Sequence, residues 1–217
     1  QAEFRERRIS IEKCNASRLE ENAFDLFVNM KLEMDKDKHH IAGQLFKTSL
    51  EKAMFSSPAA CIKSIDERLK KLKKRYKPGD IKDIAQLEEL KAALEKIGPT
   101  AFSRYQRLIE LLNSESYGWS PKNTNDRVVI FTERIETMRF LATHLRKDLG
   151  LNAETVQEIY GGMSDSEQQK IVEDFGREDS PIRILVASDV ASEGINLHYL
   201  CYRLIHFDIP WSLMVFQ

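Results

Sequence analysis

The sequence lacks paired cysteines. Its three, Cys14, Cys61 and Cys201, lie far apart, are odd in number and never form a CxxC pair. That excludes a disulfide framework and a structural zinc ribbon, and it points to a reducing compartment, the cytoplasm. No apolar run reaches the ~18–20 residues of a membrane span and no leader pattern is visible, so no membrane partner is expected. Motifs of free-standing hydrolases are also missing: there is no GxSxG, no HExxH and no cysteine with a plausible histidine partner. His39 and His40 are adjacent and so point to different helix faces, which is not how a metal is held. A strong net charge is absent too, 33 Lys and Arg against 34 Asp and Glu.

That balance hides a split. Residues 1–120 carry 23 basic and 19 acidic side chains, a net +4, and residues 121–217 carry 10 and 15, a net −5. A basic part joined to an acidic part implies two different units. The hydrophobic fraction, 42%, is enough for a core and argues against disorder. A chain that opens on Gln1 and closes on "LMVFQ" reads as a piece of a larger protein.

Up to about residue 115 the pattern is helical. Ile62, Ile65, Leu69, Leu72 and Tyr76 recur at spacings of three and four, one apolar stripe on a helix. "KPGD" at Lys77–Asp80 breaks it, and Ile84, Leu87, Leu94 and Ile97 build a second stripe that ends at Gly98. Together they predict an antiparallel helix hairpin, followed by a helix from about Ala101 to Asn113. The polar, turn-rich residues 116–126 read as a linker, which divides the chain into a helical region, 1–115, and a second unit, 127–217.

After Asp126 the pattern changes. "RVVIF", "TVQEIYGG", "IRILVAS" and "RLIHFD" are strand candidates, with helices between the first three. One helical face carries Met138, Leu141, Leu145 and Leu149. The next helix has Ser164 as N-cap, Glu167 three residues on as its capping-box partner, and Gly176 as its stop. Alternation of this kind predicts an α/β fold, a parallel sheet sandwiched by helices with its ligand edge at the strand C-termini. Three loops should meet at that edge. Thr132 and Glu133 end the first strand, Gly161 and Gly162 lead into the helix begun by Ser164, and Ser188 and Asp189 end the third strand. Hydroxyls, glycines and free helix N–H groups suit an anion such as a backbone phosphate.

The order "VVIFTER", "EIYGGMSDSEQQKIVEDF", "ILVASDVASEGINLHYLCYRLIHFDIPW" resembles the second RecA-like lobe of superfamily-two helicases, and among them the bacterial Swi/Snf-type DNA-dependent ATPases. The likeness covers Arg127 to Gln217, and the helical half resembles the insertion these proteins carry beside that lobe. It implies that Thr132, Gly162, Ser164, Ser188 and Asp189 contact one nucleic-acid strand, with Asp189 holding its loop. It implies that Glu193, Gly194 and Asn196 face ATP between two lobes. DNA, or RNA in its place, is the implied partner, together with a first RecA-like lobe in cis. ATP and Mg²⁺ are the implied ligands of the intact motor. No GxxxxGK[ST] loop occurs, nor an Asp-Glu box closing an apolar strand-like run, so the first lobe is not in this sequence. The family's arginine-bearing motif is expected after Gln217, so the isolated chain should be inactive as an ATPase.

Blander readings compete. Lys70, Lys71, Lys73, Lys74, Arg75 and Lys77 are either a solvated helix face or a DNA-backbone patch. Cys201 reads as buried and inert, His206 as a core or edge histidine, and Trp211 as packing on the sheet edge or on another lobe. The rival function is a helical protein-interaction module on an α/β scaffold with no nucleic-acid role.

Overall fold

A computed structural model describes residues 8–32, 40–75, 77–188 and 201–208. His39, Tyr76, Asp189, Glu193, Gly194, Asn196 and Trp211 lie outside the described residues, as does the side chain of His40. Helices α1 (Arg18–Asn29), α2 (His40–Ser56), α3 (Pro58–Arg75), α4 (Asp80–Glu95) and α5 (Ser103–Asn113) precede an alternating part. That part runs β1 (Arg127–Thr132), α6 (Ile135–Asp148), β2 (Val156–Ile159), α7 (Asp165–Phe175), β3 (Ile184–Ser188) and β4 (Cys201–His206).

Local sequence explains the helix boundaries. Ser17 caps α1 through a reciprocal capping box with Glu20, which satisfies two orphan N–H groups at once. α3 starts on Pro58, whose missing N–H costs nothing in the first turn, and Ser57 Oγ accepts from Ala60 N at 3.0 Å. Its buried side chains are Ala60, Cys61, Ile65, Leu69 and Leu72, largely the predicted stripe. α4 returns with Leu87, Leu90 and Leu94 buried, and the hairpin predicted from the two stripes is present. α6 ends where Gly150 takes φ +61°, a left-handed stop that only glycine adopts without strain.

The four strands are all parallel, in the order β2-β3-β1-β4. Alternation along the strands feeds two cores. Val128, Ile130, Ile184 and Val186 face one cluster, which also holds Met138, Leu141 and Leu145 of α6 and Leu69, Leu72 and Leu87 of the hairpin. Val129, Leu185, Ala187 and Ile159 face the other, closed by Phe175 with Ile171 and Val172 of α7. Helices therefore cover both faces, as an α/β pattern requires.

One core runs from the helical region into the sheet. Phe102 stands edge-on to Phe140 of α6 and to Phe207 after β4, both at 5.7 Å. Tyr105 donates to Asp148 at 2.8 Å. Between α5 and β1, Trp119 is buried and its Nε1 donates to the Asp126 carbonyl at 3.0 Å. Asp126 in turn pairs with Arg203 of β4 at 2.7 Å. Each fully buried Leu or Ile contributes roughly 1.5–3 kcal/mol over an exposed one, so Leu141→Ala would loosen both parts together.

Candidate functional site

The register of the sheet sets the site. Thr132 and Ser188 are direct partners at the last rung of β1 and β3. Ile159, the end of β2, pairs with Ala187 one residue earlier. The loop carrying Gly162 and Ser164 therefore leaves the same edge. Four residues picked from sequence are thus brought to one end of the sheet.

Their hydroxyls are not equivalent. Thr132 is 1% exposed, and its Oγ1 donates to Asp208 Oδ2 at 2.8 Å. A threonine hydroxyl has one proton, and here Asp208 takes it. Ser164 Oγ donates to Glu167 Oε2 at 2.7 Å and accepts from Glu167 N at 3.3 Å. The Ser164 hydroxyl, with the Ser164 N–H donating at 3.0 Å, holds the Glu167 carboxyl below its ordinary range and sets the chain's own carboxylate at the helix N-terminus. Ser188 differs. Its Oγ is buried with no hydrogen-bond partner among the described residues, on a residue 3% exposed. A buried hydroxyl left unpaired costs about 1–3 kcal/mol.

Gly162 is exposed, and a Cβ there would meet Cε2 of Tyr160 at 3.1 Å. Arg139 lies over that same ring, 5.9 Å from its centre. A side chain at 162 would press on the Tyr160 ring that Arg139 overlies.

Asp208 organises the edge. Its carboxylate accepts from Thr132 Oγ1, from Glu133 N at 2.9 Å and from Ser56 Oγ, the last residue of α2. Ser56 and Ser57 each bond Thr137 Oγ1 at 2.7 Å, so the network passes from the α2–α3 junction through α6 to the sheet edge. All five side chains are buried. Sequence reasoning missed this hub. Asp208 stands two residues past the end of β4 in "HFDIP", close to the strand-end placement that singled out Ser188, and that signal could have found it. Ser56, Ser57 and Thr137 carry no comparable signal.

The remaining side chains give little chemistry. His206 stacks on Phe131 at 5.4 Å, an edge-strand histidine whose pKa burial lowers. Burial pushes the Cys201 thiol up to about 11, which keeps it protonated and unreactive at neutral pH. The edge therefore offers hydroxyl and amide donors, with the acids Glu133 and Asp208 and the cations Arg134 and Arg139 close by.

Comparison with known proteins agrees with the geometry. A family model described as the helicase conserved C-terminal domain matches residues 103–217. The chain is 29% identical over 110 residues to a probable ATP-dependent RNA helicase, DDX43, of Homo sapiens, a match spanning 48% of this chain and 16% of that protein. It is 32% identical over 88 residues to the RNA polymerase-associated protein RapA of Photobacterium profundum, spanning 41% of this chain and 9% of that one. The chain thus covers under a fifth of the length of these relatives. Among solved structures, the C-terminal part of the Fun30 ATPase domain superposes with a TM-score of 0.54 at 16% identity, covering 92% of this chain and 74% of that one. The Hef helicase domain of Pyrococcus furiosus gives 0.50 at 17% identity, covering 91% and 46%. At such identities these two likenesses concern the fold.

Proposed function

Because the chain belongs to the helicase conserved C-terminal domain family, we propose that it is the second RecA-like lobe of an ATP-dependent motor of the Swi/Snf type. In this reading the helical region, 1–115, is an insertion on that lobe, joined through residues 116–126. Its task is to grip one strand of DNA while a first lobe in cis binds and hydrolyses ATP in the cytoplasm. The observation that carries this reading is Ser188 Oγ, a hydroxyl without a partner among the described residues, at the strand C-terminal edge beside Thr132. A phosphate oxygen accepts its proton, which removes the cost of the unpaired group.

The other residues play defined parts. Thr132 reaches the strand by exchanging its Asp208 bond for a phosphate, so the Asp208 carboxylate and the phosphate compete for one proton. Gly162 lets the backbone before α7 come close to the strand. Ser164 keeps the first turn of α7 in place, and Asp189 holds the loop after β3. Closing of two lobes on ATP and reopening after hydrolysis would step the pair along the duplex, a gated cycle. Glu193, Gly194 and Asn196 are assigned to the ATP face. ATP and Mg²⁺ belong to the intact motor.

Fluorescence anisotropy with a labelled duplex and a single strand, over a salt series, tests the reading. Weak binding that falls steadily with salt is expected, since phosphate contacts release counterions. Absence of binding at the lowest salt would favour the interaction-module reading instead.

A further inference from the structure

The strand-gripping edge lies in the acidic part of the chain, with Arg134 and Arg139 as its nearby cations. Residues 121–217 carry a net −5, and the hydroxyl and amide donors at the edge are neutral. Phosphate binding draws most of its affinity from Lys and Arg. The compensating charge lies elsewhere, at the turn of the α3–α4 hairpin. Residues 68–82 hold eight Lys and Arg and one Asp, a net +7, which leaves −8 on the rest of the chain.

The two halves of α3 differ. In its first half the outward charges are paired, Lys63 with Glu67 at 3.5 Å and Asp66 with Lys91 at 2.6 Å. In its second half Lys73 pairs with Glu88 at 2.7 Å and Arg75 with Asp80. Lys70, Lys71 and Lys74 are exposed with no carboxylate in ion-pair reach among the described residues. The helix macrodipole favours cations only in the last turn. That accounts for Lys73, Lys74 and Arg75, but not for Lys70 and Lys71.

The turn is also held in shape. Asp80 is buried and accepts from Arg75 Nε at 3.1 Å, from Arg75 Nη2, and from Lys77 N at 3.2 Å. The bond from Arg75 keeps the Asp80 carboxyl below its ordinary range, so it stays charged and the turn stays closed at neutral pH. Lys70, Lys71 and Lys74 are thus presented from a fixed scaffold. At 1.5 Å per residue, Lys70 lies about 18 Å and Lys74 about 24 Å along α3 from Pro58. Pro58 follows Ser56 and Ser57, which bond Asp208 and Thr137 at the sheet edge. The basic surface is therefore rigidly joined to the gripping edge at a distance of several base pairs.

We infer that the basic tip of the α3–α4 hairpin, Lys70, Lys71 and Lys74, is a second nucleic-acid surface that binds backbone phosphates of the same duplex. The inference rests on the strand-gripping reading of the edge and adds to it the surface that supplies the charge. Phosphate is the fitting ligand because the lysines are compact point charges without a carboxylate partner among the described residues, gathered within about one helical turn.

The test is duplex binding by the full chain over a salt series, with Lys70, Lys71 and Lys74 all changed to Gln. A control variant carries Lys96→Gln, Lys122→Gln and Lys147→Gln, also three exposed lysines. The tip variant should lose about 0.9 of log–log salt slope per phosphate contact, so ~2–3 in all. The control should lose almost none, and both should melt as wild type does. Equal slopes for tip variant, control and wild type overturn the inference, and so does competition by polyglutamate as strong as by duplex, which would assign the tip to an acidic protein. Ser188→Ala separates the two readings. If it weakens binding while the tip variant keeps its slope, the edge reading stands and the tip inference fails. If the tip variant loses slope and Ser188→Ala is silent, the edge reading fails instead.

Discussion

Thr132 Oγ1 donates to Asp208 Oδ2 at 2.8 Å, which ties the last residue of β1 to the segment after β4. The same carboxylate takes Ser56 Oγ from the end of α2 and the backbone N–H of Glu133. A single buried acid thus joins the helical region to the edge where a strand would be held. The arrangement is stiff, because moving α2 away would leave a buried carboxylate short of a donor.

Asp208→Ala should therefore destabilise by roughly 3 kcal/mol, since bonds to a charged group contribute about 1.5–3 kcal/mol and the orphaned donors are buried. Urea unfolding measures it. Ser56→Ala and Asp208→Ala should couple in a double-mutant cycle, because the pair shares one bond. Additive effects would mean that the bond does not hold the two parts together.

Arg127 makes a second long-range tie. Its guanidinium is 0% exposed and donates to the carbonyls of Asp174, Phe175, Arg177 and Thr124. It closes the C-terminal end of α7 in place of the helix's own bonds. Arg127→Met should cost about 3 kcal/mol or more, as several buried acceptors lose their donor. Arg127→Lys should not restore it, because an ammonium lacks the planar fork. Thermal unfolding of the two variants checks both points.

Thiol reactivity reports on the same core. Cys14 is exposed, whereas Cys61 is buried and its thiol is pushed up to about 12 by desolvation. Iodoacetamide at pH 8 should modify Cys14 first and Cys61 only on unfolding, as read by peptide mass spectrometry. The folded pKa lies above the ordinary 9.0, so this contribution is intact below pH 9 and is lost as pH rises toward about 12. Rapid labelling of Cys61 in the native chain would contradict the packing of α3.

Much of the fold was legible because it is written locally. Each strand is a short apolar run with β-branched residues. Ser164 and Glu167 form the predicted capping box, and the α3 and α4 stripes pack as expected. What escaped is nonlocal. Ser56 and Asp208 are 152 positions apart, and no period or spacing links a hydroxyl to an acid at that range. Arg127 and Arg183 stand at strand starts, where a charged residue usually marks the surface, yet both are buried on backbone carbonyls. Trp119 gives the polar segment 116–126 a buried anchor that its turn-rich composition conceals. At the site, the strand ends located Thr132 and Ser188 correctly on one edge. The partner of Thr132 could not be read, since it depends on where β4 is placed.

The most direct measurement of the edge is the affinity of the full chain for a single strand with Ser188 as wild type, as Ala and as Thr. Ser188→Ala removes a buried hydroxyl that has no partner among the described residues. It should weaken binding by roughly 0.5–1.5 kcal/mol, a factor of about 2–13, with the salt slope unchanged because no charge is lost. Ser188→Thr keeps the hydroxyl and should retain most of the affinity. If Ala binds as wild type does and the chain is instead more stable for losing a buried unpaired hydroxyl, Ser188 holds no phosphate and the edge of this sheet does not grip a strand.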